Sequence, residues 1–135
     1  MKIKVEYDTK HPKPDQFRVT KAFRLQADDG QKFTVWAGIL TDGASIPSLF
    51  QSLVHPISRD FPADAFHDAY YMLNNSHHFS RLQVDLYWLE FMKRLNPNRP
   101  FRTYTKFLIV RIFGGCNWRY YNRLTLKQQI DEAFE

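Results

Sequence analysis

Apolar and polar residues alternate with a period of two along much of the first forty positions. Phe17, Val19, Phe23 and Leu25 occupy every second place, Asp28-Asp29-Gly30 supplies a turn, and Phe33 and Val35 resume the alternation, which predicts a β-hairpin. Lys21 falls where that pattern wants an apolar side chain, so its strand is expected at an edge or with a bulge. After Leu40 the period lengthens. Ser45-Ile46-Pro47 and Phe61-Pro62-Ala63 each put proline in a first helical turn, and the second of these starts a predicted helix through His67, Asp68 and Tyr71 to about Leu73, where Asn74-Asn75 ends it. Ser80 caps a further helix carrying Leu82, Leu86, Trp88 and Leu89, stopped by Asn96-Pro97. A fourth amphipathic stretch runs from about Arg102 to Phe113 and breaks at Gly114-Gly115, and a short C-terminal helix begins near Thr125. The expected architecture is a single α+β domain over 1–135. An N-terminal β-hairpin or small antiparallel sheet (1–40) precedes a three- to four-helix body (41–135).

Composition narrows the class. The chain has 135 residues, 44% of them hydrophobic, with 12 Phe, 7 Tyr and 3 Trp, too many sticky side chains for a disordered segment. Its only cysteine, Cys116, rules out an intrachain disulfide and a Cys-rich zinc site, and reads as a small buried residue. Met1 to Tyr7 alternates charged and apolar residues, so neither a signal peptide nor a transmembrane segment is expected.

The net charge of +5 is unevenly spread. Phe91 to Ile130 holds nine Lys and Arg and no acidic residue, while the rest carries ten basic and fourteen acidic ones. Arg102, Lys106, Arg111, Arg119 and Arg123, interleaved with Phe101, Tyr104, Trp118, Tyr120 and Tyr121, suit an anionic partner, either nucleic acid or an anionic phospholipid surface. Pairing of those cations with the acidic half of the same domain is the competing expectation, with Phe107, Ile109 and Phe113 in the core.

Three stretches place ionisable groups among apolar ones. Thr41-Asp42-Gly43-Ala44-Ser45-Ile46-Pro47 is a polar loop before the helices. His67-Asp68 shares a helix with Tyr71, and Asp64 precedes Asp68 by one turn, a like-charge spacing that a bound cation would relieve. Asp85 lies among Leu82, Trp88, Leu89 and Met92, so it needs a partner, either a histidine that it orients or an arginine such as Arg81 or Arg59. A histidine held by a carboxylate is the orienting half of many general-base systems. His77-His78 reads as an exposed pair.

The loop 41–47, Ala65-Phe66-His67-Asp68-Ala69-Tyr70-Tyr71, Arg81 to Asp85 and Val110 to Gly114 together resemble a phage and prophage family of unknown function, the domain-of-unknown-function 1353 family. The order Asp-Gly-x-Ser, Pro, His-Asp-x-x-Tyr, Asp also resembles the core of prokaryotic phospholipases A2. That likeness implies His67 as general base toward a water and Asp85 as the carboxylate that orients it. It further implies Asp42, Asp68 and the Gly43 carbonyl as Ca²⁺ ligands, with Ser45 and Tyr71 in support. Those enzymes are pinned by disulfides, which this chain cannot form, and they lack a counterpart to its first forty residues. Two expectations follow. One is a phage-derived, metal-assisted hydrolase acting on phospholipid esters. The other is a noncatalytic virion, assembly or host-takeover protein that binds another phage protein or nucleic acid through its basic face. Either would work in the bacterial host cytoplasm or in the virion.

Overall fold

The computed structural model describes residues 5–7, 17–41 and 59–134. Strands β1 (Val5–Tyr7), β2 (Phe17–Val19) and β5 (Leu40–Thr41) form an antiparallel sheet in the order β1-β2-β5. Strands β3 (Phe23–Gln26) and β4 (Lys32–Val35) form a separate hairpin with Phe23 opposite Val35. The alternation from Phe17 to Leu25 is thus two strands, not one bulged or edge strand, and Lys21 lies where the chain passes between sheets. The Val19 N–H donates to Ile39 O (3.0 Å) and Gly38 N–H to Val19 O (2.6 Å), which ends β2 against the segment leading into β5. Gly38 has φ +93°, and a Cβ there would stand 3.2 Å from the Phe134 ring, so this crossing needs glycine on both counts.

Among the described residues five helices follow: α1 (Phe61–Met72), α2 (Arg81–Leu95), α3 (Pro100–Phe113), α4 (Gly115–Asn122) and α5 (Leu126–Phe134). This is the expected α+β arrangement, with the fourth amphipathic stretch and its tail divided into three helices by the breaks at Gly114 and near Leu124. Ser80 and Gln83 make a reciprocal capping box at α2: Gln83 N donates to the Ser80 hydroxyl (3.1 Å) and Ser80 N to Gln83 Oε1 (2.8 Å). Thr125 and Gln128 repeat the device at α5. The proposed helix start at Ser45-Ile46-Pro47 lies outside the described residues.

Helix α1 is the centre of the molecule. Every residue from Phe61 to Ala69 is buried, and it packs on β4, β5, α2, α4 and α5. A helix covered on all sides should be apolar throughout. This one carries Asp64, His67 and Asp68, none more than 2% exposed, so each must find a partner inside the fold. The hairpin covers one side of it: Phe33 is wedged among Phe66, Tyr70, Phe79, Tyr87 and Phe91, with ring centroids 4.8–5.9 Å away.

Helix α2 turns Val84, Asp85, Trp88, Phe91 and Met92 inward. Leu82 and Leu86, expected on the apolar stripe, are about half exposed, because the buried face follows Asp85 and Trp88 toward α1. Helix α3 runs antiparallel to α2: Arg81 reaches the Val110 and Arg111 carbonyls at one end, and Lys93 lies over the Tyr104 ring at the other. Ile109 and Val110 are buried as core, whereas Phe113 is 48% exposed and Cys116 is exposed, contrary to expectation. Both residues fall at the α3–α4 break, where Gly114 and Gly115 rather than larger side chains occupy the interior. Among the described residues no helix is long and apolar enough to cross a membrane.

Candidate functional site

The buried groups of α1 and α2 meet at Asp85. His67 Nε2 lies 2.7 Å from Asp85 Oδ1, and the Tyr71 hydroxyl donates to the same oxygen at 2.6 Å. Tyr71 is one turn beyond His67 on α1, so both reach the same carboxylate on the neighbouring helix. The imidazole is held between the rings of Tyr71 and Trp88, each centroid 4.2 Å away. The other carboxylate oxygen accepts from Arg111 Nη1 at 2.6 Å and lies 3.9 Å from Arg81 Nε, which itself donates to the Tyr71 hydroxyl. The partner expected for Asp85 is therefore the histidine and Arg81 together. Arg59 is exposed, and Arg111, expected to face an anion outside, instead holds Asp85.

Charge follows from this geometry. Burial pushes the Asp85 carboxyl up, but the hydrogen bonds from His67, Tyr71 and Arg111 outweigh it and hold the group below the usual 3.8. Burial and the adjacent Asp85 carboxylate push the Tyr71 phenol far up, so it stays a donor. An ionised carboxylate accepts only, hence His67 Nε2 carries the proton in the neutral ring and Nδ1 carries the lone pair. That Nδ1 is buried and has no hydrogen-bond partner among the described residues.

Asp68, adjacent to His67, takes a different direction. Its Oδ2 accepts the Thr41 hydroxyl at 2.5 Å, which fastens α1 to the end of β5. Asp42, Gly43 and Ser45, the other residues assigned to the cation site, lie outside the described residues. Among the described residues no group of three His, Cys, Asp or Glu is placed to hold a metal. Asp68 and the Thr41 hydroxyl are nevertheless hard oxygen donors at the start of that loop, the type a calcium ion takes.

A second ionic cluster pairs part of the basic stretch with the acidic half of the domain, as the competing expectation had it, though its members were not legible in the sequence. Lys106 of α3, 1% exposed, donates to Asp64 Oδ1 and Oδ2 at 2.9 and 2.8 Å and to Asp60 Oδ2 at 3.1 Å. Arg102 adds a 2.7 Å bond to Asp60, and the Trp88 indole donates to Asp64. Burial pushes the Asp64 carboxyl up, Lys106 opposes this, Asp60 adds to it, and the net direction is up. The like-charge strain expected between Asp64 and Asp68 is thus relieved at Asp64 by Lys106. Lys106 and Arg102 are correspondingly not free to face an external anion: one is buried, the other tied to Asp60. On α3 Lys106 shares a face with Thr103, Ile109 and Val110, all buried. Arg119 and Arg123 are exposed as expected. His77 is half-buried rather than exposed, with Nε2 on the Tyr70 carbonyl and Nδ1 accepting from Phe79 N; only His78 is exposed.

A family model described as "Protein of unknown function (DUF1353)" matches residues 17–110, a span that includes His67, Asp68, Tyr71, Arg81 and Asp85. Comparison with curated proteins and with solved structures returns no match.

Proposed function

The chain belongs to the DUF1353 family, a description that names no activity, and from its buried site we propose that it is a phage-derived hydrolase with His67 as general base. One observation carries the reading: His67 Nδ1 is a buried lone pair with no partner among the described residues, on a ring whose other nitrogen is locked to an ionised carboxylate. Leaving such an atom unpaired is costly, and a water or substrate hydroxyl at Nδ1 would repay it. His67 would take the proton of that water, Asp85 would stabilise the imidazolium that forms, and Tyr71, Arg81 and Arg111 would keep Asp85 ionised and aimed. Phospholipid ester is the substrate class implied by the resemblance to prokaryotic phospholipases A2.

Asp68, with Asp42 and the Gly43 carbonyl, would hold Ca²⁺, which polarises the scissile carbonyl. The hydrogen bond between Asp68 and Thr41, the residue before Asp42, supports that assignment. Work in the host cytoplasm or the virion belongs to the same proposal. The complete burial of His67 and Asp85 favours a second reading, a noncatalytic phage protein in which the cluster only fastens α1, α2 and α3.

The test is hydrolysis of anionic phospholipid vesicles, with and without Ca²⁺, by the wild type, His67→Gln and Asp68→Asn, each checked for folding by circular dichroism. The hydrolase reading expects Ca²⁺-dependent turnover lost in both folded variants. Folded wild type with no turnover on esters and no saturable Ca²⁺ binding would refute it.

A further inference from the structure

Where α2 begins and α3 ends, two guanidinium groups share one carboxylate and a third lies beside one of them. Arg81 and Arg111 share Asp85 Oδ2, at 3.9 and 2.6 Å. Arg119 of α4 joins them over Gly115: a Cβ on that glycine would stand 3.1 Å from Arg119 Nη1 and 3.3 Å from Arg81 Nη1, so both nitrogens border the same small space. Arg119 has no carboxylate partner among the described residues, its one bond there being a 3.5 Å contact with Cys116 Sγ. Asp85 is already shared by His67, Tyr71 and Arg111, so among the described residues two positive charges in the cluster have no carboxylate of their own. Like charges this close repel unless an anion or solvent separates them. The cluster is reachable, with the Arg81 and Arg111 side chains 23% and 30% exposed and Arg119 exposed.

We propose that Arg81 and Arg119, which meet over Gly115, form a binding site for a phosphate group, with Arg111 adding positive charge from its place beside Arg81 at Asp85. Several guanidinium donors converging on one point suit a tetrahedral oxyanion, which accepts from more than one fork at once. Arg81 is anchored for this by its Nη2 bonds to the Val110 and Arg111 carbonyls, which leave Nη1 aimed at the space over Gly115. The site shares Arg81 and Arg111 with the support of Asp85, but it lies across Asp85 from His67 Nδ1 and involves neither Asp68 nor a cation. It accounts for part of the acid-free stretch that ion pairs elsewhere do not use.

The phosphate has two sources, a soluble anion or a lipid headgroup, and two arms of one experiment separate them. Titration calorimetry with inorganic phosphate at constant ionic strength is run on the full chain, on Arg119→Gln and on Arg123→Gln, an exposed arginine outside the cluster. Flotation with phosphatidylglycerol or phosphatidylcholine vesicles, with and without phosphate as competitor, is run on the same three proteins. Saturable phosphate binding, weakened roughly tenfold or more by Arg119→Gln and unchanged in Arg123→Gln, is the expected result. Phosphatidylglycerol binding that phosphate displaces assigns a headgroup, and its absence beside phosphate binding assigns a soluble anion. Absence of saturable phosphate binding, or equal losses in both variants, overturns the site. Persistence of binding in folded His67→Gln separates this outcome from any failure of the hydrolase reading.

Discussion

Replacing Asp85 by Asn tests the arrangement at its most connected atom pair. The carboxylate accepts from His67, Tyr71 and Arg111 within 2.7 Å and is 0% exposed. An amide has one oxygen. If it keeps His67 and Tyr71, its NH₂ faces the Arg111 guanidinium at 2.6 Å, donor against donor; if it flips, it faces His67 Nε2 and the Tyr71 hydroxyl instead. Either way Arg111 and Arg81 lose their shared anion. Removing one partner of a buried ion pair costs about 3–5 kcal/mol, a large share of a typical domain's stability of about 5–15 kcal/mol. The sign of the pH dependence follows from the lowered Asp85 carboxyl. Its stabilisation is complete above the unfolded value near 3.8 and is lost as pH falls through the lower folded value. Urea denaturation at pH 7 and at successively lower pH should therefore show a deficit of about 3–5 kcal/mol for Asp85→Asn that shrinks below pH 3.8. Adding Arg111→Met should restore part of the neutral-pH deficit. A deficit under about 1 kcal/mol at pH 7, or one of constant size across the titration, would refute the reasoning.

Two further substitutions probe the rest of the scaffold. Lys106→Met leaves Asp64 and Asp60 without their ammonium and should cost about 3–5 kcal/mol at neutral pH by denaturant titration. Because the Asp64 carboxyl is raised, it binds its proton more tightly folded than unfolded; the penalty should therefore fall on acidification as Asp64 neutralises, and a penalty that grows would contradict the pairing. Ser80→Ala removes the acceptor for Gln83 N at the start of α2 and should cost about 1 kcal/mol in thermal or urea unfolding, with no change expected at the Asp85 cluster.

The elements that were legible in the sequence are those whose signal is local. Phe61-Pro62 starts α1 as expected, Ser80 caps α2, and Gly114 marks the break after α3, because proline geometry, a capping hydroxyl and a missing Cβ act within one turn of chain. The need of Asp85 for a histidine or an arginine was also legible, since an ionised group on a buried helical face requires a partner, whereas the choice of His67 was implied by the resemblance to prokaryotic phospholipases A2. The choice of cations was not legible. Arg111 is 26 residues from Asp85 and Lys106 is 42 from Asp64, and nothing in the spacing of α3 says which of its basic residues turns toward α1 or α2. The same limit explains Leu82 and Leu86: helical periodicity defined a stripe, but packing on α1 chose the face that holds Asp85 and Trp88.

By itself the sequence determined the α+β class, the ends of α1 and α2, and the need for buried Asp and His side chains to be satisfied. Periodicity, caps and desolvation cost are properties of short segments and single groups. Only the tertiary structure decided that much of the basic stretch is turned inward, with Lys106, Arg102 and Arg111 neutralising the carboxylates of α1, α2 and the turn before α1. It also left Arg119 beside them without a carboxylate partner among the described residues. Ion pairing inside a fold depends on which helices lie side by side, and that is settled by burial of the whole apolar surface rather than by any one run of residues.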